Sequence, residues 1–315
     1  MASRLILSRL GLALLTLLGV SMFIFWTTEV LPGDIAARVL GRQATAEAKQ
    51  AFRDELNLDR PVHERYALWL GGALKGDFGT SLVNGRPVTD AVIPRLRNTL
   101  ILAGYAFILY VPVSLLLAIV AALYRDRTPD AIVSALNLLG LALPEFVLGT
   151  LLIYVFAIHF PVFPVMSLIH KAETLPELLR MTTLPALTLM TAMAVYSIRM
   201  LRDNLIEVLQ SEYIGMCRLK GLSPWRIVLL HALPNAAIPA LNTMALNLTY
   251  LIGGVVVVEQ VFAYQGLGSL LVESVFLRDA PVIEAVALMS SALYIVANLG
   301  ADLLAILLNP RLRSR

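Results

Sequence analysis

Glu145 is the one charged residue in an otherwise apolar run from 131 to 160. A carboxylate that deep in a bilayer costs a few kcal/mol and by default faces a water-filled path or a partner. Pro144, just before it, would loosen a helix there. Three readings stay open: a side chain lining a path, a structural hydrogen bond or pair, or a span shifted locally. The rest of the chain is poorly equipped for catalysis. Cys217 is the only cysteine, which excludes an intramolecular disulfide, and it reads as a small buried hydrophobe. His63, His159 and His170 fall at or beyond the ends of apolar runs without metal-ligand spacing. No Ser/His, Cys/His, paired Asp or His-Glu-x-x-His arrangement lies within the runs, which argues against a membrane-embedded enzyme.

The elements that would hold such residues are membrane spans. Of 315 residues 58% are hydrophobic and 15% charged, with a mean hydropathy of +0.77, more apolar surface than a soluble core hides. The net charge of +3 comes from basic residues flanking apolar runs, so membrane orientation explains it better than nucleic acid does. Six uncharged or nearly uncharged runs are each long enough to cross about 30 Å of hydrocarbon: 10–26, 100–124, 131–160, 181–198, 236–258 and 285–301. The first follows Arg4 and Arg9 but lacks a small-x-small cleavage site, so it reads as an uncleaved span. With six spans both termini share a side. The short loops of that side carry twelve lysines and arginines, against three (Lys171, Arg180 and Arg278) opposite. By the positive-inside rule both termini, and the loop 199–235, are expected in the cytosol. A secondary transporter would need paired ionisable residues within the membrane, and Glu145 stands nearly alone.

Segment 29–98, between the first two spans, is expected to be exported. Ala48, Ala51, Phe52 and Leu56 recur at helical spacing, as do Val62, Tyr66, Trp69, Leu70 and Ala73, with a turn at 57–61 between them. Two short amphipathic helices follow, either capping the outer membrane face or docking an external partner. The second exported loop, with Pro161, Pro164 and Pro176, is too proline-broken for a long helix. Asn242, Asn247, Asn298 and Asp302 suit bonds between helices better than ligand contacts, although Asn242 and Asn247 are candidates for a translocation path alongside Glu145. Glu259 and Gln260 fit an interfacial network, and Gly253-Gly254 a close helix crossing.

The segment 212–235 is basic, polar and helix-breaking between two apolar runs. Lys220-Gly221 offers a helix stop, since glycine takes the left-handed cap conformation. Ser223 and Pro224 offer a start, the serine as N-cap and the proline at the first helical position. A short helix from Pro224 to Ala232 is expected, with Pro234 discouraging its continuation. Leu222, Trp225 and Leu229 would give it an apolar face and Lys220 and Arg226 a wet rim: a stiff hydrophobic knob on an elbow.

The string Glu212-Tyr213-Ile214-Gly215-Met216-Cys217-Arg218-Leu219-Lys220-Gly221-Leu222-Ser223, with His231-Ala232-Leu233-Pro234-Asn235, resembles the cytoplasmic signature loop of ABC importer permeases. Gly221, Leu233 and Pro234 match in register. Gly215 stands at the family's acidic position and His231 at its isoleucine, departures usual in the dipeptide, oligopeptide and nickel subfamily; Cys217 and Leu219 replace two of that subfamily's alanines. Further landmarks in order are Pro32-Gly33-Asp34, 56–61, 76–81, Gly253-Gly254 to Glu259 and Phe262, Gly266-Leu267-Gly268, 278–282 and Asn309-Pro310-Arg311, where Asp is more usual than Asn309.

The resemblance implies an all-α type I ABC importer permease in the bacterial inner membrane. Its parts, six spans in all, would be a first span (1–28), a helical periplasmic insertion (29–98), a transmembrane permease core (99–308, with the coupling loop 199–235) and a cytoplasmic tail (309–315). It implies a second homologous permease, two ABC ATPase subunits, a periplasmic binding protein and membrane lipid as partners, and no nucleic acid. It implies ATPase coupling through Glu212, Gly221, Leu222, Ser223, Pro224, Trp225, Arg226, Leu229, Leu233 and Pro234. The chain has no Gly-x-x-x-x-Gly-Lys-Ser/Thr string to cradle phosphates, so no cofactor is expected in it and its energy must come from those partners. Small peptides are the default substrate, with nickel chelates, glutathione and other small solutes as alternatives.

Overall fold

A computed structural model describes residues 2–30, 45–55 and 60–308. The expected landmarks at 32–34, 56–59 and 309–311, and the basic tail, lie outside the described residues. Apart from loops and one isolated bridge, Thr80 to Pro87, the described chain is helical. In order come α1 (Ala2–Val30), α2 (Ala46–Glu55), α3 (Val62–Ala73), α4 (Val88–Leu123), α5 (Thr128–Ala142), α6 (Glu145–Ile153) and α7 (Leu175–Leu209). They are followed by α8 (Glu212–Leu219), α9 (Pro224–Arg226), α10 (Leu233–Val261), α11 (Leu267–Leu277) and α12 (Ala280–Leu308). Four described helices are long and apolar enough to cross a membrane, in the ranges Ser8–Thr28, Val88–Leu123, Leu175–Leu209 and Ala280–Ala301. The pair α5 and α6 with its following turn makes a fifth if counted together, and the run 236–258 lies inside α10.

Two compact units divide the chain, one built on 98–265 with 296–315 and the other on 3–97 with 266–295. In the first, the uncharged part of α4 from Leu100 onward shows how an apolar helix chooses its inner face. Leu102, Ala106, Tyr110, Ser114 and Ala118, four residues apart, are buried, while Leu100, Ile108 and Leu116 are exposed. Hydrophobicity cannot make this choice, because lipid is as apolar as leucine; small and hydrogen-bonding residues face protein so that backbones approach closely. Gly140 on α5 obeys the same rule: a Cβ there would stand 2.9 Å from Val195 Cγ2 on α7.

Helix α7 starts at Leu175, upstream of the expected span, with Pro176 in its first turn, where the missing N–H costs nothing. The proline therefore opens a long helix instead of breaking one. Pro185, farther in, cannot bond the Met181 carbonyl, and the Ser167 hydroxyl donates to that oxygen at 2.7 Å instead. At the far end of α10, Glu259 is fully buried and accepts from Thr99 Oγ1 at 2.7 Å, in line with the expected interfacial network.

In the second unit, Ser21, Phe25 and Thr28 form the buried stripe of α1. Ser21 Oγ and Tyr66 OH are 2.7 Å apart, and the Phe25 and Tyr66 rings meet edge-on at 5.5 Å. Thr28 Oγ1 donates to Glu284 Oε1 at 2.5 Å. The two expected amphipathic helices are present as α2 and α3; Tyr66, Trp69, Leu70 and Ala73 are half-buried, but Val62 is exposed and off the stripe. After α3 the chain turns through Gly76 and Gly79, at φ +83° and +78°, and the Asp279 carboxylate accepts from Ser81 Oγ at 2.5 Å and the Leu82 N–H at 3.1 Å.

Candidate functional site

The elbow is built by two chain reversals after α7. Helix α8 packs Ile214 and Cys217 inward, three residues apart, and leaves Glu212, its first residue, exposed. It ends in a full Schellman cap: the Gly221 N–H donates to Arg218 O at 2.9 Å and the Leu222 N–H to Cys217 O at 3.3 Å, with Gly221 at φ +73°. Ser223 occupies the next N-cap position at φ −64°, ψ 147°, but its side chain makes no capping bond; Pro224 takes the first turn as expected.

From Pro224 the helix does not stop at Ala232. After α9 it widens into a π turn over Ile227–Ala232 and continues directly into α10, with Pro234 in the first turn of that helix. The expectation that Pro234 ends a separate short helix is therefore corrected. In a π turn the backbone bonds i to i+5, so the wider turn accommodates a residue that has no N–H and whose ring crowds the preceding carbonyls. Leu233, just before the proline, stays helical and half-buried.

Ile227, Val228 and Ala232 hold the elbow to the core, and Leu222 is half-buried. Trp225 (63% exposed), Leu229 and Leu230 project outward beside the exposed Arg226. His231 is tied to α8 by Tyr213, whose hydroxyl lies 2.7 Å from its Nδ1. Sequence reasoning treated His231 only as a departure; its role is to brace the elbow. Farther back, Arg202 on α7 grips Asp130 in the first turn of α5 with two bonds of 2.6 Å. An acidic residue just behind Pro129 at a helix start was the available signal for that clamp.

The expected third span is not one helix. It breaks at Leu143 (φ −91°, ψ 125°) and Pro144 (φ −59°, ψ 146°), and the axes on either side differ by 112°. A proline bars the residue before it from the helical region, and here the bar holds. Glu145 is thus no mid-helix charge but the first residue of α6, where the helix dipole favours a carboxylate. It accepts a hydrogen bond from the Tyr250 hydroxyl of α10, and one turn on a Cβ at Gly254 would meet Tyr250 Cε1 at 3.3 Å and both carboxylate oxygens in ordinary contact at 3.5 Å. Tyr250 was missed. A tyrosine one turn before a glycine in an uncharged run was its only mark.

Asn247 belongs to a different network. Its Nδ2, with two hydrogens to donate, lies 2.8 Å from Tyr110 OH, 3.1 Å from Ser197 Oγ and 3.2 Å from Met193 O, joining α10 to α4 and α7. That matches the interhelical role and separates it from Glu145. The Asn242 side chain lies outside the described residues.

The description "Binding-protein-dependent transport system inner membrane component" matches residues 114–314, and its N-terminal counterpart matches 2–103. The glutathione transport system permease protein GsiC of Escherichia coli K12 is 37% identical over 298 residues, 95% of each chain. Its Salmonella typhi counterpart is 37% identical over 308 residues, 98% of each. The chain therefore belongs to the binding-protein-dependent transport system inner membrane components, as an ABC importer permease of the dipeptide, oligopeptide and nickel family. It is a multi-pass subunit of the inner membrane.

Proposed function

We propose that this permease forms half of a six-span-per-subunit translocation path for small peptides, with a second homologous permease forming the other half. Both termini and the elbow face the cytosol, and 29–98 faces the periplasm, where the binding protein delivers substrate. The elbow seats in a cleft on one of two ATPase subunits, which hold the nucleotide; this chain needs no cofactor. ATP-driven closure of the ATPase pair moves the elbows together and shifts the spans between inward-open and outward-open states.

The observation that carries this reading is the exposure of Trp225, Leu229 and Leu230 on a turn whose far side is buried and which follows directly on the capped end of α8. A large aromatic left in water on a rigid support is suited to fill a partner's pocket. Replacing Trp225 by Ala should leave the permease in the membrane while copurification of ATPase subunits and substrate-driven ATP hydrolysis both fall at least about tenfold. Full retention of both would remove the coupling role of the elbow. Glu145, held by Tyr250 at the bend, is the path-lining candidate.

Glutathione is the second substrate reading, favoured by the relatives whose names carry it. It is itself a tripeptide, so both readings need a path that passes small zwitterions. Binding of labelled dipeptides and of glutathione to the cognate binding protein separates them.

A further inference from the structure

Behind the elbow lies a cavity of about 530 Å³, walled by the end of α4, the last turns of α7, α8 and the elbow itself. Its lining is charged in one sense: Arg125 and Arg218 contribute to it, and no lining residue is a carboxylate. Neither guanidinium is firmly engaged. Among the described residues Arg218 reaches the Leu209 carbonyl at 3.4 Å, and Arg125 meets Asp126 at 3.3 Å where that carboxylate is largely in solvent. The Gln210 amide adds a donor, and Leu123, Leu222 and Ile227 make the remaining wall apolar.

We infer that this cavity binds a phosphate-ester anion, with the headgroup of an acidic phospholipid as the source its walls favour. Guanidinium forks match phosphate oxygens in geometry and charge. The apolar run of α4 ends where Arg125 begins, so the cavity sits at the level where headgroups replace hydrocarbon, and basic pockets between spans at the cytoplasmic face suit anionic headgroups. The volume is in the range of a small-molecule site, about 300–1,000 Å³. Because Arg125 follows α4 and Arg218 belongs to α8, one bound anion bridges the core and the elbow's support, stiffening the part that must transmit force. The inference rests on the cytosolic placement of the elbow proposed above.

Native mass spectrometry of the intact importer, with its ATPase subunits, tests it. The probes are phosphatidylglycerol, phosphatidylcholine with the same chains, and glycerol 3-phosphate. Wild-type complex should retain phosphatidylglycerol over phosphatidylcholine by about tenfold or more, the preference should vanish in Arg125→Gln/Arg218→Gln, and Arg125→Lys/Arg218→Lys should keep part of it. Arginine-dependent binding of glycerol 3-phosphate without a lipid preference would assign the same site to a soluble phosphate ester. Absence of both from the wild-type complex, or equal retention by the glutamine pair, overturns the inference. The same spectra count ATPase subunits: their absence beside retained anion would sink the coupling reading and leave the site standing.

Discussion

Pro144 and Pro234 each follow a leucine, yet the chain swings by 112° at the first and stays helical through the second. The difference lies in the turn before. Leu143 is extended, at ψ 125°, and starts a new helix with a carboxylate at its head; Leu233 is helical, at ψ −46°, because the π turn of 227–232 precedes it. Pro185 shows a third outcome, with a serine from a neighbouring loop taking over the orphaned carbonyl. A proline in a membrane helix removes one bond and adds one clash, and the surroundings decide whether the helix bends, widens or borrows a donor.

The sharpest test of this contrast is to remove each proline. Pro144→Ala lifts the bar on Leu143, so spin labels at Leu136→Cys and Phe156→Cys should move apart as the bend relaxes, and uptake should fall by about tenfold or more. Pro234→Ala restores an N–H in a segment already helical and should leave spin-label distances across 227–240 unchanged. Equal effects at the two sites would erase the distinction. Next in size, Arg202→Ala leaves Asp130 buried without its partner and should lower unfolding stability in detergent by about 3 kcal/mol. Since that clamp holds the arm of the bent pair, a loss below about 1 kcal/mol would mean the bend is fixed elsewhere. Gly221→Val forces a β-branched residue to φ +73° with no atom within 4 Å of its Cβ. The expected loss of about 1–2 kcal/mol is thus conformational, and Gly221→Asn should recover much of it. Smallest, Ser167→Ala should cost about 1 kcal/mol, readable as a lowered melting temperature that disappears in Pro185→Ala.

These elements also mark how far the residues could be read without coordinates. The cap at Gly221, the restart at Pro224 and the paired helices before Gly76 were legible because each is a local rule of a few residues. The continuation through Pro234 was not, since a π turn leaves no composition signal. Pro144 suggests only a loosened helix, and the partner that meets the residue after it, Tyr250, lies more than a hundred positions away in the chain. The partners of Glu145, Asn247 and Asp130 were hidden for the same reason: hydropathy marks which residues are inside the membrane, not which polar groups meet there. Helix ends shifted too, as at Leu175, because spans were counted by charge while the backbone continued past it.

The stripe of alanine, serine and tyrosine along α4 has a consequence for variation in this permease. Two substitutions there can have the same oiliness and opposite fates: enlarging Ala106 crowds a helix neighbour, whereas shrinking Ile108 empties no space inside this chain. Damage along this rod is graded by bulk, and a polarity-based score of its variants would rank them blindly.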